Sequence, residues 1–588
     1  MSVVYSSDAK QANAPAGKPG SNIIPFSGQG RPDPRDVLYM YDEAKTLKSP
    51  YENDFRMCAA YALPRHYSGW GSDGPTMTAP NQGGAKRYAY DSTCARALPK
   101  FAAIMRRLAT PDGHRWERLQ ASDPNLRKSY RVRAYFDELN DILFKLRYDP
   151  RATFSQAVDE MYVGLGCYGT APVRFGWRTP KVTDRRGGFG YKAMPLKDMF
   201  FLVNADGVVD TGFHRQWMTA IQFRRKYPKW TPSRSIANEL EKPNPSNTTY
   251  FEIVHAVYPR DEKTYDPDSI MVQRHPYCSH MIVVQDGEYV GPEGGYRNFP
   301  FLVPRTATEP GELYGYSPMM QAMPAAGSVN QMKRTLLRQG QKAVDPPLLA
   351  SDDGILSGRV GLTPGYVNFG AVNAQGNALI HALPPGNFRP AENLLTDERA
   401  DINDAFLVTL FQILVETPEM TATEVIERTS EKAALAAPAM ARLQSGFLGP
   451  EVERAIEIMT EFAPRMMPEM PPELIEAQGE FEIIYTSPLA KGLHAEEDSG
   501  FMRVTEMAIE VANVTQNPEV LDPFDFDAAI PEIAEHQSVP TRWMRSPEDI
   551  EALRADRAKQ QQAQQLTQAA PAIAQIAATS QKAQQPAA

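Results

Sequence analysis

Gly164-Leu165-Gly166-Cys167-Tyr168-Gly169 has the G-x-G-x-x-G spacing that can cradle a dinucleotide pyrophosphate. That chemistry needs a strand before the glycines and a helix after them, so that backbone N–H groups meet the phosphates. Here the flanks are reversed, with a helical pattern over 154–163 and a strand pattern over 171–177. The glycines therefore read as a helix stop before a strand. His275-Pro276-Tyr277-Cys278-Ser279-His280 offers three zinc-type donors, but the spacing fits no common zinc site and the segment reads as a surface loop. Asp352-Asp353-Gly354 and the Asp266/Asp268 pair lack the rest of a calcium loop. No G-x-x-x-x-G-K-[ST], G-x-S-x-G or H-E-x-x-H occurs, and acidic pairs such as Asp42-Glu43 read as solvated faces. No catalytic residue, metal or cofactor is expected.

Charge is the remaining chemistry. Arg334, Arg338 and Lys342 fall at i, i+4 and i+8, one basic stripe on a predicted helix. In a monomer such a stripe is a solvated face; repeated around a ring it becomes belts of positive charge facing a polyanion. Glu416 and Glu419, on a short predicted loop, would form an acidic ring in the same setting. The chain as a whole carries a net charge of −9. That argues against tight, sequence-specific nucleic-acid binding, which draws most of its affinity from phosphate neutralisation.

The elements that must position these groups come next. At 588 residues the chain should divide into several domains or layers, and its 42% hydrophobic and 23% charged composition suits a globular protein. The four cysteines are far apart, which fits a reducing cytoplasm, and no secretion signal is expected. The most apolar run, 406–415, is too short to span a bilayer and reads as a buried helix. Residues 1–35 are a Gly/Pro/Ser-rich flexible arm, and 556–588 a Gln/Ala-rich tail. Ser49-Pro50-Tyr51-Glu52 predicts a helix start, and Asp91 or Ser92 caps another helix through Leu108. Helices are further predicted over 128–146, 153–164, 219–226, 317–342 and 391–415. Gly187-Gly188 and Asp206-Gly207 mark hairpins, and 250–304 reads as a distinct small β module with a turn at Asp286-Gly287.

The longest signal runs from Thr421 to Met459. Thr421 and Glu424 make a capping box, Met420 and Val425 a hydrophobic staple, and Val425, Ile426, Thr429, Ala433, Ala436, Met440, Leu443 and Phe447 follow one helical face. A helix over 422–448 would be about 40 Å long, kinked at Pro438 and stopped by Gly449-Pro450, with a second helix restarting at Glu451.

This stretch resembles the portal, or head-to-tail connecting, proteins of short-tailed (podovirus-type) bacteriophages. The matching residues are Thr421-Ala422-Thr423-Glu424-Val425, Glu431-Lys432, the run from Leu435 to Pro438, and Arg442-Leu443-Gln444 followed by Gly449-Pro450. Segments at 90–98, 166–169, 255–260, 294–297, 299–305, 314–318, 341–349 and 487–490 follow the same family's order. Tyr316 departs from it, standing where the family often has Arg. The resemblance spans about residues 36–500.

The resemblance implies an α+β, mainly helical fold with wing, stem, clip and crown, assembling into rings of about twelve copies with cyclic symmetry. On it, 36–217 would be wing, 218–247 a first stem segment, 248–305 the clip and 313–343 a second stem helix. Residues 344–488 would continue the wing, with a tunnel loop near 416–420 and the helix at 422–448, and 489–555 would form the crown. The implied location is the virion's portal vertex, after assembly in the host bacterial cytoplasm. Implied partners are double-stranded DNA without sequence specificity, a terminase large subunit that supplies the ATPase, a tail adaptor or tail tube protein, and the major capsid and scaffolding proteins; no membrane is implied. A tail or internal core protein fits the composition equally, but the β module between helices and the Thr421–Val425 motif speak against it. A virion-associated hydrolase would need a catalytic constellation that the sequence does not display.

Overall fold

Asp33 and Pro34 open the first helix. The Asp33 carboxylate accepts from the Arg35 amide at 2.9 Å, and Pro34 occupies a first-turn position whose missing N–H costs nothing. Helix α1 (Pro34–Ala62) then runs straight through Pro50. The helix start expected at Ser49-Pro50 is thus a correction. Val37, Tyr41, Ala44, Phe55 and Cys58 make one continuous buried face on both sides of Pro50, and its packing outweighs one lost backbone hydrogen bond.

This computed structural model describes residues 31–409 and 438–560, except 65–69, 71–88, 180–186, 262–265, 267–268, 270, 351–366, 368–370, 373–374, 383–388, 478–479, 486–487, 516–520, 527–528, 531–532, 534–544 and 546–548. It is a mixed helix-and-sheet structure in two compact units. Unit 1 comprises Met1–Arg106, Pro150–Met420 and Ala436–Glu457; unit 2 comprises Arg107–Asp149, Thr421–Leu435 and Ile458–Ala588.

In chain order the elements after α1 are α2 (Thr93–Ala109), β1 (Glu117–Ala121), α3 (Pro124–Lys128), α4 (Tyr130–Arg147), α5 (Phe154–Tyr168), β2 (Val173–Arg178) and β3 (Gly188–Ala193). Next come β4 (Met199–Val203), β5 (Val209–Thr219), α6 (Ala220–Lys226), α7 (Arg234–Leu240), β6 (Tyr250–Pro259), β7 (Tyr277–Val283), β8 (Glu288–Tyr289), β9 (Gly294–Tyr296) and β10 (Phe301–Leu302). The chain continues with α8 (Pro318–Gln321), α9 (Met323–Val344), β11 (Leu348–Ala350), β12 (Ile380–Ala382), α10 (Arg389–Ala405), α11 (Gly449–Phe462), α12 (Pro472–Glu476), β13 (Phe481–Tyr485) and α13 (Pro488–Thr515).

Unit 1 is built on a six-stranded antiparallel sheet in the order β4-β5-β6-β7-β8, with β9 also on β7. Asn204 makes the first hairpin, its side-chain oxygen accepting from the amides of Asp206 and Val208 while Gly207 takes a φ of +76°. Period-two alternation sends Val254, Ala256 and Tyr258 to one face, where α1 packs on them with Phe200 and Phe213. Ile253 faces the other way, against Met218, Phe223 and Ile236 of β5, α6 and α7. Because β6 pairs along β5, and β10 pairs with β2, the strands of 250–304 do not form a distinct module. The expected separation fails because YFEIVHAVY is apolar on both faces and needs cover on each.

The glycine run stands between a helix and a strand as expected, but Gly164 and Gly166 lie inside the helix and only Gly169 ends it. Helix α5 ends at Gly169, which adopts φ +76°, and β2 follows. A Cβ on Gly169 would stand 2.1 Å from the Gly315 carbonyl oxygen, so the residue is required by close backbone approach as well as by φ.

Two further expectations are corrected. The helix predicted over 391–415 ends at Ala405, where Phe406 buries itself against Phe101 and Leu407 takes a φ of +58°. Residues 410–415 lie outside the described residues. Nor does Gly449-Pro450 stop a helix. Residues 438–443 are helical, Gln444–Leu448 form a π turn, and α11 continues with Gly449 right-handed. A proline ring clashes with the carbonyl four residues back, and the wider π turn makes room for Pro450. A kink at Pro438 would involve residues before it that lie outside the described residues.

Unit 2 has a two-stranded antiparallel sheet that pairs β1 with β13, Glu117 opposite Tyr485. Asn140 of α4 accepts from the Leu119 amide at 3.0 Å. The buried Arg147 pairs with Glu117 and lies over the Trp116 ring at 4.7 Å. Among the described residues, no helix is long and apolar enough to cross a membrane.

Candidate nucleic-acid interface

Helix α9 carries the basic stripe. Ser317 caps the preceding α8, accepting from Met320 N at 3.0 Å and donating from Oγ to the Cys167 carbonyl at 2.9 Å. Met319 and Met320 of α8, with Ala326 and Val329 of α9, are buried, and the remaining α9 side chains are half-buried or exposed. Its 22 residues hold four basic side chains (Lys333, Arg334, Arg338 and Lys342) and no acidic one. Arg334, Arg338 and Lys342 are all exposed, as their spacing predicts for one solvated stripe.

Helix α10 packs beside α9 and has the opposite balance, with Glu392, Asp397, Glu398, Asp401 and Asp404 against Arg389 and Arg399. Between the two helices lies an open groove of about 1190 Å³, whose walls include Leu336, Leu337, Arg338, Lys342, Leu395 and Arg399. Asp91, just ahead of α2, ties the pair together. It accepts from Arg399 and from the Thr93 amide at 2.8 Å, and Lys333 Nζ stands 3.7 Å away. Burial works to raise the Asp91 carboxyl, but hydrogen bonds from Thr93 and Arg399 overcome it and hold the group below its ordinary value. The Arg334 guanidinium lies over the neighbouring Tyr90 ring at 5.8 Å.

Sequence spacing found the three stripe residues but not the residues that fix their helix. Asp91 was legible only as a cap, and its link to Arg399 crosses 308 positions with no local signal. Of the other residues singled out in the sequence, Pro438 and Arg442 are exposed, Leu443 is buried, and Gln444, Gly449 and Pro450 are half-buried. Arg442 and Pro450 line a cleft of about 500 Å³ with Val303, Arg305 and Arg454. Glu416, Glu419, Thr421, Ala422, Thr423, Glu424 and Val425 lie outside the described residues, as do Asp352-Asp353-Gly354.

Comparison with known proteins agrees with the sequence reading. A probable portal protein of Bordetella phage BPP-1 is 26% identical over 514 residues, covering 84% of this chain and 85% of its own length. The portal protein of Salmonella phage epsilon15 is 26% identical over 506 residues, covering 84% of this chain and 86% of its own. Among solved structures, a chain of the neck of an empty gene transfer agent (GTA) particle matches at 12% identity over 76% of this chain and 94% of that one. Its TM-score is 0.34, a likeness too loose to carry detail. The family described as bacteriophage head to tail connecting protein matches residues 35–544. The chain belongs to that family.

Proposed function

We propose that this chain is the subunit of the portal ring, the DNA conduit at one capsid vertex, and that α9 presents the basic stripe to the passing duplex. The observation that carries this reading is the acid-free α9 with Arg334, Arg338 and Lys342 exposed along one line. Contact of this kind is sequence-blind and weak, because the chain's overall charge of −9 opposes tight gripping. Exposed Leu337, Val344, Leu349 and Leu394 beside the stripe supply apolar area for a neighbouring copy to cover. The terminase motor, tail proteins, and capsid and scaffolding proteins are the partners of this reading, in the virion after assembly in the host cytoplasm. Glu416 and Glu419 are its acidic ring.

The strand pairing supports a different division into portal parts from the one the resemblance implies. Strands between 248 and 305 share sheets with 173–178 and 199–219, which favours assigning them to the wing. Helices α9 and α10 are joined through the antiparallel β11–β12 pair, Leu348 opposite Ala382. That helix–hairpin–helix suits two stem segments flanking a clip at about 345–388, with the crown at 489–555.

The test has two parts. Electron-microscope class averages of the purified protein should show rings with a central hole. The triple charge reversal Arg334→Glu/Arg338→Glu/Lys342→Glu should leave those rings intact while lowering packaged or retained DNA. Unchanged packaging and retention would remove the stripe from the mechanism.

A further inference from the structure

The sequence segment 275–280 is not a surface loop. Cys278 and His280 lie two apart on strand β7, both 2% exposed, on the face that packs against α1, whereas His275 precedes the strand. The loop between β8 and β9 brings Glu293 to the same place. The Cys278 Sγ, a His280 ring nitrogen and a Glu293 carboxylate oxygen lie within 4.8 Å of one another. We propose that Cys278, His280 and Glu293 bind a zinc-class divalent cation that staples β7 to the β8–β9 loop.

The site holds a buried ring nitrogen that no protein group satisfies. His280 Nε2 is buried with no hydrogen-bond partner, and the nearest Glu293 oxygen is 4.0 Å away. Tyr258, whose ring stacks on His280 at 5.8 Å, turns its buried hydroxyl toward the Cys278 thiol. Leaving the imidazole nitrogen unsatisfied is costly, whereas a metal ion takes it up directly. Burial, with Arg31 and Arg260 nearby, pushes the His280 imidazole down to about 3, so it is in the neutral, ligating form. The donor set mixes thiolate, imidazole and carboxylate, which suits borderline-soft zinc and disfavours calcium or magnesium. Arg260 donates to Glu293 Oε1, the oxygen nearest His280, and from Nε at 3.0 Å to the His275 carbonyl, which fixes the carboxylate at the site and leaves its other oxygen to turn toward an ion.

Tetrahedral zinc places its donors roughly 3.3–3.6 Å apart, so binding draws the three side chains inward. The Cys278 thiol, pushed up by burial to about 12, is protonated without metal. On binding, its S–H bond breaks, a sulfur–metal bond forms, and the proton leaves to solvent; no electrons are transferred. Three protein donors leave one position of a tetrahedral ion without a protein ligand.

The test uses the full chain, stripped with EDTA and titrated with Co²⁺ alone. The expected result is one bound ion per chain with a thiolate-to-cobalt charge-transfer band, abolished when Zn²⁺ is added in competition. Cys278→Ser should lose the band, and Cys94→Ser, a buried thiol elsewhere, should keep it. Glu293→Gln, which removes the ligand's charge but keeps an amide oxygen for Arg260, should weaken binding by at least about tenfold, which keeps the proposal decidable if Cys278→Ser misfolds. A wild-type chain without the band, a band that survives Cys278→Ser, or Glu293→Gln binding equal to wild type would overturn the proposal.

Discussion

Arg454 of α11 reaches the backbone of Phe175 in β2, donating from Nε to its carbonyl at 3.0 Å across 279 positions of sequence. The same guanidinium donates to the Asn298 carbonyl at 2.7 Å and lies 5.6 Å from the Tyr296 ring centroid. One buried cation thus fastens three separate segments of unit 1. Arg454→Ala should destabilise that unit by about 3–5 kcal/mol, since it removes two charge-assisted bonds and leaves both carbonyls unpaired. Arg454→Lys, lacking the planar fork, should recover less than half. Urea midpoints of the variants check both figures.

Gly169 and Gly315 should tolerate nothing larger. Alanine at Gly169 would meet the Gly315 carbonyl oxygen at 2.1 Å, and alanine at Gly315 would meet the Gly169 oxygen at 2.4 Å. Either change should cost more than about 3 kcal/mol or abolish soluble expression. Gly176→Ala, with open space around its Cβ, should lie within about 0.5 kcal/mol of wild type. Thermal melts of the three proteins decide.

Acid should loosen the large sheet. Burial, reinforced by Arg174, Lys192 and Lys226, pushes His214 down to about 3; His280 is also pushed to about 3, and burial pushes His255 well below its ordinary value. The unfolded chain takes up these protons near pH 6.5 and the folded chain does not. Stability is therefore complete above about pH 6.5 and falls as pH drops towards 3. Melting midpoints of the EDTA-treated protein between pH 7.5 and 4 should fall steadily, and more gently for His214→Asn.

In unit 2 the buried Glu117–Arg147 pair should show the asymmetry of charges taken out of water. Glu117→Leu or Arg147→Met alone should cost about 3–5 kcal/mol, because each strands the other partner. The double variant Glu117→Leu/Arg147→Met should recover most of that loss. Chemical denaturation of all four proteins gives the coupling directly.

Local signals proved readable where the chemistry is local. Asn204 to Gly207 made its hairpin, the helix expected over 219–226 formed behind Thr219, and Gly169 stopped α5 ahead of a strand. Local rules misled where packing overrode them. Ser49-Pro50 has every mark of a helix start, yet Lys48 beside it is buried, with Nζ donating to the carbonyls of Leu196, Lys197 and Met199. Those contacts hold the helix through the proline. The alternation of β7 was hidden because Cys and His look like loop residues when placed beside Pro276, although both face inward. The basic stripe followed from spacing alone, but its tether through Asp91 and Arg399 depends on a fold that no window of sequence displays.

The pairing of β1 with β13 also sets a timetable for synthesis. Glu117–Ala121 emerges from the ribosome long before its partner Phe481–Tyr485 exists. At 5–20 residues per second the delay is roughly 20–70 s. Throughout that interval the first strand offers an open edge to any other strand nearby. Chains cut short before residue 481 keep that edge permanently, so truncated products should aggregate or engage chaperones, while the completed chain closes the edge itself.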